Sequence, residues 1–264
     1  MAENIAELRN VSVVRDGRYI LDHVSMTLSD DENVAIIGAN GSGKTTFVKL
    51  FSGENLPYYE EDGSSEMVLF GKRNWDIFEL RHRIGIVSMD LQNRFNDTVT
   101  VSDVILSGYF GSLDVFRNHK VEEGMVRAVV IAAMKVGMDD KLDRQIGNLS
   151  LGEMRRTLIA RALVSEPGML ILDEPMTGLD IVMKDAFRKM FDILSSTGVR
   201  IIMITHELED IPSSVDRVLM IKDGKLVVDG PKDEVLTSGN LSMIYDADIQ
   251  VLKDGDVYHM RMRD

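Results

Sequence analysis

One eight-residue stretch limits the fold more than any other feature of the chain. Residues 38–45 read GANGSGKT and satisfy the pattern G-x-x-x-x-G-K-[ST]. A short apolar run, 33–37 (NVAII), precedes it, and a segment with helical periodicity, 45–51, follows. A buried strand that turns through glycines into a helix is the opening of an α/β unit. Gly38, Gly41 and Gly43 permit backbone conformations closed to residues that carry a Cβ. Successive N–H groups then converge at a helix N-terminus, where an anion is held. The pattern therefore predicts a phosphate site built from Gly38, Ala39, Asn40, Gly41, Ser42, Gly43 and Thr46. Lys44 would reach the β- and γ-phosphates of a nucleotide and Thr45 would ligate Mg²⁺. The competing reading is a glycine-rich turn, a match expected by chance in roughly one chain in a hundred of this size.

The rest of the chain supplies the frame. Val11, Val13, Val24, Met26 and Leu28 alternate with polar neighbours around Gly17, which predicts a β-subdomain before the phosphate loop. Strand-like runs recur at 66–70 and 84–88. From about 92 to 165 the period becomes helical. Thr100 with Asp103 three residues later opens one helix, 121–136 forms a second with an Ala/Val/Met face, and 150–164 a third. Strands and helices then alternate: strand 169–172, helix 181–195, strand 199–204, a hairpin over 215–228, and two short runs around Asp254 and Gly255. This is an α/β core carrying a helical subdomain.

The chain has 264 residues, enough for one large domain or two tight subdomains. It has no Cys, which removes disulfides and thiolate metal sites and fits a reducing cytosol. Residues 1–9 carry acids and no apolar stretch, so they do not read as a secretory signal. No uncharged apolar run approaches the roughly 18 residues of a membrane span. The net charge of −13 argues against general binding of nucleic acid or of an anionic membrane face, but not against a nucleotide held locally.

A second chemical feature lies at 169–175 (MLILDEP). An apolar strand ending in two carboxylates places them at the edge of a parallel sheet where ligands bind. Asp173 suits a Mg²⁺ shell and Glu174 an attacking water. Two solvated acids at a strand end are the alternative, weakened by the phosphate loop upstream.

Three further motifs complete a series: LSLGE at 149–153 followed by Met154, Arg155 and Arg156; GLD at 178–180; and Thr205–His206. In this order and spacing the chain resembles the nucleotide-binding domain of ABC ATPases over roughly 5–230. The resemblance implies a P-loop NTPase core with an N-terminal antiparallel β-subdomain and an inserted helical subdomain. On it, the core spans 1–91 and 166–230, the helical subdomain about 92–165, and 231–264 is an extension packed on the core. It implies ATP and Mg²⁺ as ligands and ATP hydrolysis as the activity. Ser150, Gly152 and Glu153 would grip the γ-phosphate of ATP held by a second subunit, so a dimer follows, as a homodimer or heterodimer. Ser150-x-x-Glu153 is also a helix-capping spacing, and Asp180, which the resemblance places at the dimer interface, also suits a helix N-cap. His206 would contact the γ-phosphate.

The sequence departs from the family pattern at three points. The position of the adenine-stacking aromatic falls on Arg15, whose guanidinium plane can stack, with Tyr19 as the alternative. Met89 stands where a Gln is usual, and Gln92, three residues on, takes the expected role toward Mg²⁺ or water, the bland reading being a solvated loop residue. Leu151 and Glu153 replace a Gly and a Gln of the signature. The resemblance further implies an integral membrane permease as partner, a place on the cytoplasmic face of the membrane, and transport, with a separate ATPase chain leaning to import. Phe95, Tyr109, Phe110 and Phe116 are candidates for the permease groove or for ordinary core. A soluble ABC ATPase acting in translation control or DNA repair is the rival reading, opposed by the single domain and the acidic charge.

Overall fold

In the computed structural model the described residues are 4–61, 63–92, 94–116 and 119–263; residues 1–3 of the leader reading lie outside them. The N-terminal alternation produces β1 (Asn4–Arg15) and β2 (Arg18–Ser29), an antiparallel hairpin closed by Asp16 and Gly17, both at positive φ. Val11, Val13, Val24, Met26 and Leu28 are all buried, as a period of two requires. Then come β3 (Val34–Ile37), α1 (Lys44–Phe51), β4 (Glu66–Leu69), α2 (Ile77–Arg83), β5 (Ile84–Val87) and α3 (Met89–Gln92). Next come α4 (Val101–Leu106), α5 (Glu123–Val136), α6 (Leu151–Leu163) and β6 (Met169–Asp173). The chain continues through α7 (Ile181–Ser196), β7 (Arg200–Ile204), β8 (Arg217–Lys222) and β9 (Lys225–Pro231). It ends with α8 (Lys232–Val235), α9 (Ser238–Tyr245), β10 (Ile249–Asp254) and β11 (Val257–Met262).

These elements gather into two compact units, 1–77 with 200–264, and 78–199. The division differs from boundaries drawn on helical periodicity at 91/92 and 165/166. Strands β5 and β6 and helix α7 fall with the helices, because α6 packs on β5.

In the first unit β3 lies between β7 and β8, parallel to both, and β9 runs antiparallel on β8. All four residues of β3 are buried, which is why this strand reads as an unbroken apolar run. A second sheet, in the order β2-β1-β4, is antiparallel throughout. The C-terminal stretch adds α9 and the β10–β11 hairpin, whose Leu241, Ile244, Ile249 and Tyr258 join a core with Ala35, Ile37, Leu208 and Met220.

In the second unit β5 and β6 pair in parallel, and α4, α5 and α6 pack on one another. Thr100 caps α4 and accepts from the Asp103 N–H at 3.2 Å. The buried face of α5 is narrower than its composition suggests: Val129, Ala132, Ala133 and Val136 are buried, whereas Val126, Ile131 and Met134 are exposed. Among the described residues no helix is long and apolar enough to cross a membrane.

Candidate functional site

The first unit holds the phosphate loop. It runs from the buried end of β3 to the start of α1, and the Phe47 N–H closes the first helical turn on the Gly43 carbonyl at 2.9 Å. A Cβ on Gly38 would lie 2.3 Å from the Ile221 carbonyl oxygen and 2.5 Å from Ser42 Oγ. One on Gly43, at φ 110°, would lie 2.8 Å from the Ile20 carbonyl oxygen. The loop is thus seated directly on the backbones of β2 and β8, and the Gly224 N–H donates to the Ser42 carbonyl at 2.9 Å to hold it there. Asn40 and Thr45 are exposed, Ala39 and Thr46 half-buried. Lys44 is buried and donates its amine to the carbonyls of Gly38 at 2.8 Å and Ala39 at 3.0 Å, within the loop itself.

Two observations fit this loop to a phosphate chain. Ser42 Oγ is buried and makes no hydrogen bond within the protein, a polar group that an anion would satisfy. The first turn of α1 carries no acid, so its N–H groups and dipole meet an anion without competition. For Mg²⁺, Thr45 offers an exposed hydroxyl in the same turn. Among the described residues no three His, Cys, Asp or Glu side chains converge as a metal cluster.

The same unit holds Arg15, Tyr19 and His206. Arg15 is exposed and pairs with Arg18 across the hairpin turn. The Tyr19 ring lies 5.6 Å from that of His23 and 6.4 Å from that of Tyr58. His206 follows β7, with Nε2 3.8 Å from Glu207 Oε1. Thr205 Oγ1 accepts from the Glu207 N–H at 3.0 Å and shapes the turn beneath it.

The second unit holds the carboxylates and the signature helix. Asp173 ends β6, and Glu174 follows at φ 50°. A left-handed backbone at a residue with a side chain costs on the order of 1–2 kcal/mol, and here it sets the direction of the Glu174 carboxylate. Thr177 Oγ1 donates to that carboxylate at 3.4 Å.

Ser150 caps α6: its Oγ accepts from the Glu153 N–H at 3.3 Å, and its own N–H donates to Glu153 Oε2 at 2.7 Å. That N–H, with the Ser150 hydroxyl and the Lys141 amine 3.3 Å away, holds the Glu153 carboxyl below the usual carboxylate range. Arg144 adds a further ion pair at 3.6 Å. Glu153 is thus engaged in the cap through both its backbone N–H and its carboxylate. A Cβ on Gly152 would meet Met183 Cε at 2.5 Å. Met183 belongs to α7, where its N–H donates to the capping Asp180 Oδ1 at 2.9 Å. Gln92, half-buried with an unpartnered Oε1, lines a cavity of about 430 Å³ with Ser150, Leu151, Phe95 and Met154. Phe95 is buried in that wall, while Phe110 and Phe116 pack on His119 elsewhere in the unit.

The structure thus places Arg15, residues 38–46 and His206 in the first unit, and Gln92, Ser150, Gly152, Glu153, Asp173, Glu174 and Asp180 in the second. Residues 21–177 match the sequence profile of the family described as ABC transporter. The chain belongs to that family. It is 33% identical over 261 residues to the ABC transporter ATP-binding protein YlmA of Bacillus subtilis, spanning 96% of this chain and 95% of that protein. It is 35% identical to the zinc uptake system ATP-binding protein ZurA of Listeria innocua, over 87% of each chain. Among solved structures, it superposes on cbiO1 of Clostridium perfringens, described as part of the ABC transporter complex cbiONQ. The TM-score is 0.76 at 29% identity, covering 91% of this chain and 94% of that one. The protein is an ABC-type ATP-binding subunit and an ATPase, with the mixed α/β architecture of its family. Two contacts at the candidate site carry no sequence signal, Met183 beside Gly152 and Tyr245, whose hydroxyl donates to the His206 carbonyl at 3.3 Å. Each is a fold contact that no local pattern encodes.

Proposed function

We propose that the chain is the motor of an importer, working as a homodimer on the cytoplasmic face of a membrane permease. Two copies would close over two ATP molecules, each copy supplying residues 38–46 to one nucleotide and the N-terminus of α6 to the other. The observation that carries this reading is that N-terminus. Ser150 and Gly152 sit at its tip, and the apolar Leu151, Ile181 and Val182 beside them are exposed. Apolar groups around a helix end that attracts anions suit a nucleotide-bridged interface between copies.

The assignments follow from chemistry. Lys44 and the loop N–H groups hold the phosphates, and Arg15 or Tyr19 meets the base. Mg²⁺, when bound, neutralises developing charge on the phosphates, and Thr45, Asp173 and Gln92 are the residues to hold it. Glu174 orients or deprotonates the attacking water, and His206 contacts the γ-phosphate. Closure is driven by contacts each copy makes only to the triphosphate, and their loss on hydrolysis reopens the pair. The cavity lined by Phe95, Ile146 and Met154 together with the polar Gln92 and Asp97 would seat a short helix of the permease. The name of the zinc uptake relative supports import.

The test is ATP turnover by the purified chain beside Glu174→Gln, with mass in solution measured with and without ATP and Mg²⁺. Turnover in the wild type and an ATP-trapped dimer in the variant are expected. A variant that turns over like the wild type overturns the role of Glu174, and one that stays monomeric with ATP overturns the sandwich.

A further inference from the structure

The motif series ends before residue 231, yet the last part of the chain is packed around the segment that carries His206. Tyr245, the last residue of α9, donates its hydroxyl to the backbone carbonyl of His206 at 3.3 Å. One residue later, Asp246 pairs with the Lys222 amine, which also donates to the Met243 carbonyl at 2.7 Å. Lys222 ends β8, next to Ile221, whose carbonyl is the floor beneath Gly38 of the phosphate loop. From the hairpin, His259 Nδ1 lies 2.8 Å from Glu209 Oε1, in the short turn Leu208–Asp210 that follows His206. Beneath these polar contacts, Leu241, Ile244 and Tyr258 share a core with Leu208 and Ile211 on one side and with Ala35 and Ile37 of β3 on the other.

The end of α9 therefore touches two segments that face the nucleotide in the reading above. One is the turn carrying His206, and the other is the end of β8, one residue beyond the floor of the phosphate loop. A loop held only by its own ends shifts by more than the few tenths of an ångström that a γ-phosphate contact allows. Here one backbone group of His206 itself is tied to a packed helix. We infer that Tyr245 is a positioning residue for His206, and that the C-terminal extension braces the His206 turn against the phosphate-loop floor. The inference rests on the proposed ATPase mechanism for its catalytic consequence, but not for the brace.

The variant Tyr245→Phe removes one hydroxyl and keeps the ring. Turnover is expected to fall about five- to tenfold, with the ATP KM and the affinity for a fluorescent ATP analogue within about twofold of wild type. In a His206→Ala background the same change is expected to add nothing, because residues that act through one another are not additive. Amide exchange over residues 207–211 is expected to quicken at least about threefold, with 38–46 unchanged. Undiminished turnover in Tyr245→Phe, a loss that multiplies with that of His206→Ala, or unchanged exchange over 207–211 would each overturn the inference. If Glu174→Gln and the wild type turn over alike, the ATPase mechanism falls instead, and the exchange measurement alone decides the brace.

Discussion

Three glycines of the phosphate loop separate two physical reasons for having no side chain, and alanine at each should fail differently. Gly41 sits at φ 81° with nothing within 4 Å of a Cβ position, so its cost is conformational, about 1–2 kcal/mol for a left-handed backbone. Gly38 has no such φ, but its Cβ would press 2.3 Å from the backbone oxygen of Ile221, and a strand backbone cannot swing aside. Its cost is overpacking, about 1–3 kcal/mol. Gly43 combines φ 110° with a 2.8 Å approach to the Ile20 oxygen, so both terms apply. For a chain of this size each kcal/mol lowers Tm by about 2–4 °C. Thermal unfolding should therefore rank Gly43→Ala lowest. Titration with a fluorescent ATP analogue should weaken at least about tenfold for Gly38→Ala and Gly43→Ala, whose strain moves the N–H groups off the phosphates, and less for Gly41→Ala. If Gly38→Ala melts and binds like the wild type while Gly41→Ala does neither, the reasoning from close approach is wrong.

Other consequences follow from the signature helix and its surroundings. Ser150→Ala removes the Oγ that caps α6, costing about 1 kcal/mol by thermal unfolding, and should also abolish ATP-dependent dimerisation seen by light scattering. The Glu153 carboxyl is held below its ordinary range, so its stabilisation is complete above the usual carboxylate pKa and drains away as pH falls through the folded value. The Tm difference between wild type and Glu153→Gln should be constant from about pH 8 to 5 and shrink below about pH 4. Arg161 donates to Ser107 Oγ and the Ser112 carbonyl beside Phe95, so Arg161→Ala should destabilise by about 2–3 kcal/mol in denaturant titration.

Much of this was open to reading from the chain, for a physical reason. Strand β2 declares itself because one face is buried and one wet from Val24 to Leu28, β1 through its apolar and polar alternation although Val11, Ser12 and Val13 are all buried, and β3 because both faces are buried. The helix at 150–164 declares itself through the Ser150 and Glu153 cap, whose two hydrogen bonds depend only on residues three apart. Helices α2, α8 and α9 escaped because they are eight residues or fewer and owe their form to packing rather than period. The assignment of β5, β6 and α7 to the unit with the helices escaped for the same cause, since unit membership is a property of contacts and not of pattern.

The signature itself shows how far local chemistry reaches. Two of its positions differ from the family pattern, Leu151 and Glu153, and they sit in different surroundings. Glu153 preserves the acceptor that the cap needs, so the change is local and could be judged from spacing alone. Leu151 lies against Gly178, where a Cβ would stand in ordinary van der Waals contact, 3.4 Å from Leu151 Cδ2, at a backbone φ of 81°. One position further, Gly152 faces the methyl end of Met183, and a Cβ there would come within 2.5 Å of it. In the proposed dimer the phosphate grip would rest on Ser150 and Gly152, with the Leu151 side chain lying against Gly178.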